Sequence, residues 1–180
     1  VQNFLDQGGK IKCNTRLKKI VFKNNFAKEM IFNKKKIKVD NDEVIILAVT
    51  PNVASKIIPN LKVPKKTNCI LNIHFKLNEK YKKIKFPENS FFIGVIGGTA
   101  DWIFKKKNIL SITVSTANYL NSLGDEKISR IVWEDVKKTF NLNAIKKPKY
   151  KIIREKMATF VQSPEEIFRK PKMHTKYKNI

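Results

Sequence analysis

Between residues 69 and 114 one strand-like segment follows another with no helix-length apolar period between them, which confines this part of the chain to an antiparallel sheet. Residues 69–77 set the pattern: Leu71, Ile73, Phe75 and Leu77 alternate with Ile70, Asn72, His74 and Lys76. A Lys-rich excursion over 78–90 leads to a second strand at 91–96. Gly97-Gly98 then turns the chain, and residues 102–104 and 109–114 read as two more strands around the turn Lys105-Lys106-Lys107. The clearest helix follows at 125–140, with Ile128, Ile131, Val132, Val136 and Phe140 on one stripe. Asp125 and Glu126 lie at its positive end and Lys137 and Lys138 at its negative end, as the helix dipole favours. Glu134 and Asp135 fall on its polar side and are expected in solvent. A strand at 148–160 and a helical turn from Ser163-Pro164 complete the pattern.

The first third reads differently. Val1, Phe4 and Leu5 make a short helical stripe that Gly8-Gly9 ends, since glycine takes the left-handed C-cap conformation without penalty. Strands at 11–22, 26–32 and 37–39 form a β-meander, with Asn24-Asn25 as the first turn and a Lys-rich second turn. Residues 44–49 (Val-Ile-Ile-Leu-Ala-Val) are apolar throughout, the pattern of a central strand covered on both faces. Thr50-Pro51-Asn52 stops that run and starts a helix with Val53, Ile57 and Ile58 on one face. Pro59 and Pro64 frame a linker over 60–66, where a domain crossing is expected.

Composition narrows the function classes. The longest apolar run is far shorter than the ~20 residues of a membrane span. The chain starts at Val1 without an initiator Met or a charged-then-apolar leader, so a fragment without a secretory signal is expected. Two cysteines, Cys13 and Cys69, give no disulfide framework, which points to a reducing cytosol. No metal site is expected, because Cys69 and His74 are five apart on a strand and therefore face opposite ways. The net charge of +23 raises a nucleic-acid-binding module without catalysis as the alternative reading. Only Arg16, Arg130, Arg154 and Arg169 supply the guanidinium that base and bidentate phosphate contacts favour, however. Lys is spread over nearly every surface segment, and its abundance alongside Asn and Ile matches an AT-rich coding bias.

Chemistry-bearing motifs are sparse. Gly94-Val95-Ile96-Gly97-Gly98 lacks the G-x-G-x-x-G spacing and is followed by a strand, so a tight hairpin connection fits better than a phosphate loop. Asp101 beside Trp102 is the one carboxylate placed like an active-site acid, although an Asp at a turn more often bonds nearby backbone. These patterns assign no catalytic residue.

The order of parts carries more. Helix, Gly8-Gly9, a strand with Thr15-Arg16-Leu17, a hairpin, and then the apolar run ending Ala48-Val49-Thr50-Pro51 resembles the flavin amine oxidase and phytoene desaturase superfamily. The stretch from Phe92 through Gly97-Gly98-Thr99-Ala100-Asp101-Trp102-Ile103-Phe104, then Ser111-Ile112-Thr113-Val114-Ser115, is similar to the squalene-associated FAD-dependent desaturases, the hydroxysqualene dehydroxylases. Arg154-Glu155-Lys156-Met157-Ala158-Thr159-Phe160, and Pro171 with Thr175 and Asn179, extend the match along the chain. Asp101 and Met157 depart from that pattern, which has Gln and Arg there.

What the resemblance implies is an α/β (α+β) flavoenzyme piece, truncated at both ends. Residues 1–62 would be part of a Rossmann-like FAD-binding domain, with the meander and central strand. Residues 63–158 would be an antiparallel-sheet substrate domain, and 159–180 a return segment to the FAD domain. It implies FAD as cofactor, with Leu17 pairing the adenine edge through its backbone and Ala48 and Val49 passing close to the cofactor. The isoprenoid substrate would lie in an apolar tunnel lined by Phe92, Trp102 and Phe104. The parent enzyme would replace the hydroxyl of hydroxysqualene by hydride to give squalene. Such a substrate lives in the bilayer, so the expected place is the cytoplasm with peripheral contact to anionic lipid at the inner membrane face. Nucleic acid is not the expected partner.

Overall fold

The structure, a computed structural model, describes residues 1–33, 35–142 and 145–180. Lys34, in the Lys-rich turn of the meander, lies outside the described residues. In chain order the elements are α1 (Gln2–Asp6), β1 (Leu17–Lys23), β2 (Phe26–Phe32), β3 (Lys36–Lys38), α2 (Pro51–Ile57), β4 (Thr67–Lys76), β5 (Phe92–Gly94), β6 (Trp102–Lys106), β7 (Ile109–Val114), α3 (Asp125–Thr139), β8 (Tyr150–Phe160) and α4 (Pro164–Phe168). They divide into two compact units, one of Val1–Pro64 with Ser163–Ile180 and one of Lys65–Gln162. The class is α+β with antiparallel pairing in both sheets.

In the first unit β1, β2 and β3 form a three-stranded meander. Asn24 and Asn25 both take positive φ, 50° and 59°, which is the geometry a two-residue hairpin matched to strand twist requires. Gly8, at φ 83°, ends α1 while its N–H and that of Gly9 satisfy the carbonyls of Leu5 and Phe4. The core is small: Ile20, Ala27 and Ile57 are buried, with Leu17, Phe22, Met30, Ile45, Leu47 and Ile180 packed around them.

The C-terminal segment is knitted into this meander by side chains. Asn179 accepts from the Ala27 N–H at 2.8 Å and donates back to the Ala27 carbonyl at 3.1 Å, so a side-chain amide takes the place of a strand neighbour. Tyr177 stacks on Phe22 with ring centroids 3.8 Å apart. The Thr175 hydroxyl bonds the carbonyl of Ile180 at 2.9 Å.

Residues 44–49 correct the expectation of a central strand. They carry no strand; Val44 and Ile46 point outward while Ile45 and Leu47 pack on the small core. Within this run the Ile45 N–H donates to the Asn179 carbonyl at 2.9 Å. An apolar run becomes a central strand only when neighbours take its N–H and C=O groups on both sides. Among the described residues no strand flanks it.

The second unit is a five-stranded antiparallel sheet in the order β5-β6-β7-β4-β8. Cys69, Leu71, Ile73 and Phe75 of β4, Ile103 of β6, and Leu110, Ile112 and Val114 of β7 all bury toward one face. There α3 lays down Ile128, Val132, Trp133 and Val136. Phe75 meets Trp133 at 5.1 Å between ring centroids. Buried Tyr81 donates to the Lys146 carbonyl at 3.0 Å, and burial raises its pKa. At the helix N-terminus Glu126 accepts from Lys147 at 2.9 Å and Tyr150 at 3.0 Å, and these two bonds hold its carboxyl below the usual range.

Candidate functional site

The face of the five-stranded sheet opposite α3 carries the polar half of the alternation; its ends are exposed and its central residues Asn72, His74, Ser111 and Thr113 are half-buried. Register aligns it into rows. Phe92 lies opposite Phe104, Phe104 opposite Ser111, Ser111 opposite His74 and His74 opposite Lys151. The neighbouring row runs from Gly94 through Trp102, Thr113 and Asn72 to Ile153.

The aromatic end is clustered. Phe92 sits 5.9 Å from Trp102 and 6.1 Å from Phe104, centroid to centroid, and Phe91 adds a fourth ring at 5.4 Å from Phe92. The Trp102 ring lies over Gly94, where a side chain would reach it at 3.4 Å. Phe92 and Trp102 are each 43% exposed and Phe104 36%, so the structure brings the three sequence candidates together on a surface and not in the core. Such a contiguous apolar patch on a sheet face is built for contact with something apolar.

Next to the rings the rows turn polar. His74 Nδ1 is 2.8 Å from Ser111 Oγ, and Thr113 donates to Asn72 Oδ1 at 2.8 Å. Cys69 points the other way, into the core, as the odd spacing requires. The sequence reading weighed His74 only as a metal ligand and missed its pairing with Ser111, whose signal is the matched polar positions of two alternating strands.

Two of the three carboxylates singled out in the sequence are structural. Asp101 accepts from the Ser115 N–H at 2.5 Å, tying the start of β6 to the end of β7. Asp135, expected in solvent, instead accepts from the N–H groups of Thr99 and Ala100 at 2.7 and 2.9 Å. It clamps the turn at Gly97-Gly98, where a side chain on Gly98 would meet its carboxylate at 3.0 Å. The turn leads into β6 and not into a helix, so it forms no phosphate cradle.

In the first unit Leu17 opens β1, the outer strand of the meander, whose free edge has no strand partner among the described residues. Val49 borders an open apolar groove of about 580 Å³ with Val44, Ile46, Ala54, Ile58 and Ile180. Ala48 is exposed and is not among the groove's lining residues. The basic surface offers few guanidinium groups: Arg130 pairs with Glu126, Arg154 with Asp125 and Arg169 with Glu165. Lys35 is held below the usual lysine range by hydrogen bonding and repulsion from Lys12, a sign of crowded positive charge. No helix among the described residues is long and apolar enough to cross a membrane.

Comparison with known proteins returned no matching family model. The hydroxysqualene dehydroxylase of Zymomonas mobilis is 30% identical over 176 residues, 97% of this chain and 40% of that protein. That of Sinorhizobium fredii is 29% identical over 97% of the chain and 40% of its own length. That of Rhodopseudomonas palustris is 31% identical over 77% of the chain. The chain thus spans about two fifths of the length of the first two relatives. Among solved structures, one described as a protoporphyrinogen oxidase from Exiguobacterium sp. 255-15 superposes with a TM-score of 0.57 at 14% identity, covering 89% of this chain and 39% of that one. At that identity the likeness is one of fold.

Proposed function

The chain is a homologue of the hydroxysqualene dehydroxylases, and on that premise we propose that its protein is an FAD-dependent oxidoreductase that converts hydroxysqualene to squalene. The observation that carries this reading is the 30% identity along 97% of the chain. The nucleic-acid alternative has no comparable support: three of the four Arg side chains are engaged in ion pairs.

Lys65–Gln162 is then the substrate domain, and its exposed sheet face lines the substrate tunnel. Phe92, Trp102 and Phe104 give the hydrocarbon an apolar wall, which a molecule with almost no hydrogen-bonding group needs. Val1–Pro64 and Ser163–Ile180 belong to the FAD side. The free edge of β1 at Leu17 fits main-chain pairing to the rim of an adenine ring, and Val49 fits an apolar wall beside the cofactor. For Ala48, beside Val49 in the chain, only the resemblance supports the same role. When bound, reduced FAD supplies the hydride that replaces the departing hydroxyl. The chain's own share is to hold the substrate dry and oriented.

We further place the protein in the cytoplasm, in peripheral contact with anionic lipid. Exposed Phe168 and Met173, set among Arg169, Lys170 and Lys172, have the composition of such a contact. The test is full-length protein with reduced flavin and hydroxysqualene, read as squalene formed. Trp102→Ala should raise KM about tenfold or more by removing one buried aromatic contact. No squalene from the wild type would end the reading; an unchanged KM would remove the sheet face from the tunnel.

A further inference from the structure

The row that runs from rings to imidazole has a direction. We propose that His74 is the acid that protonates the leaving hydroxyl, with Ser111 as its positioning partner; this rests on the function proposed above. Phe92 and Phe104 offer an apolar bed, and one strand further come Ser111 and then His74. Two strand spacings, about 10 Å, separate the Phe104 and His74 positions. A long hydrocarbon lying on the rings with its single oxygen toward the polar end would put that oxygen at His74.

The hydrogen bond between Ser111 Oγ and Nδ1 leaves Nε2 as the ring nitrogen directed elsewhere. In the imidazolium both nitrogens carry protons, so Nδ1–H donates to Ser111 and Nε2–H faces the substrate. Nε2 gives its proton to the hydroxyl oxygen. The C–O bond breaks with both electrons on oxygen, water leaves, and an allylic cation remains. Nothing is oxidised or reduced in this step. The neutral imidazole keeps its Nδ1–H on Ser111, so the side chain does not have to turn over. The charged neighbours on this face are Lys151, opposite His74, with Lys76 next along β4, Lys106 at the end of β6 and Glu155 further along β8. Asp135 and Glu126 are engaged elsewhere.

The step can be read without hydride transfer. In full-length enzyme with its flavin oxidised, water recaptures the cation, so ¹⁸O from labelled solvent enters the alcohol. His74→Gln should slow that exchange about 100-fold or more, the usual share of a general acid. Ser111→Ala should slow it less, and should shift its pH profile because the imidazole loses its partner. Flavin content and melting temperature of each variant report whether it folds. Exchange at the wild-type rate in a folded His74→Gln enzyme would overturn the assignment. So would a wild type that forms squalene with reduced flavin but shows no exchange. A wild type that does neither fails the proposed function itself. Should His74→Gln not fold, an unaltered rate and pH profile in Ser111→Ala would overturn the assignment.

Discussion

The two units use similar strands to opposite effect. In Lys65–Gln162 nineteen buried side chains among the described residues form one continuous core between sheet and helix. In Val1–Pro64 with Ser163–Ile180 three buried side chains among the described residues form the central cluster, and the segments around it are held by polar bonds such as those of Asn179. The difference teaches where each unit's order comes from. A covered sheet is stabilised by burial, which scales with area and tolerates local damage elsewhere. A small meander draws a larger share of its stability from a few specific hydrogen bonds.

The largest test of that contrast is a pair of truncations in the full-length protein. Phe75→Ala should destabilise its unit by about 3–5 kcal/mol, because the surrounding core cannot collapse into the space. Ile20→Ala should lie at the low end of the 2–5 kcal/mol range, because its thin surroundings can relax. Local opening free energies from amide hydrogen exchange would measure both; equal losses would break the contrast.

The polar anchors come next. Asn179→Ala removes both bonds to the buried main chain of Ala27 and should cost about 1–3 kcal/mol, read as lost protection across β2. Asp135→Ala strands two N–H groups at the turn before β6 and should cost a similar amount locally. Because burial dominates that unit, β4 and β7 should stay protected. Loss of protection throughout the sheet would show that the clamp, and not the core, holds it.

The smallest effect is one of pH. The Glu126 carboxyl sits below its ordinary range in the folded state, so at mildly acidic pH the unfolded chain binds the proton more readily. Its contribution is therefore present above the unfolded carboxylate pKa of about 4.3 and lost as pH falls through the lower folded value. Melting temperatures of wild type and Glu126→Gln should differ near neutrality and converge in acid. Convergence in the opposite direction would reverse the assigned shift.

Much of this was legible along the chain. The alternation in β4 and the stripe of α3 are local periodicities, and a period shows without knowing what packs against it. Asn24-Asn25 was legible for the same reason, since its positive φ values are set by the residue type. The expected grouping of Phe92, Trp102 and Phe104 follows from strands joined by short turns. The apolar run at 44–49 misled because hydrophobicity records a wish to be covered, not the presence of neighbours to cover it.

What the sequence by itself determined is therefore most of the strands, the long helix, their antiparallel order and the kinship with the hydroxysqualene dehydroxylases. Only the tertiary structure decided which side chains act on which backbone. Asp135 reaches groups 35 and 36 residues upstream, His74 meets Ser111 across 37 residues, and Asn179 closes on Ala27 across 152. Local propensity is set by a residue and its near neighbours, whereas a hydrogen bond depends on a distance of about 3 Å that only the folded chain creates.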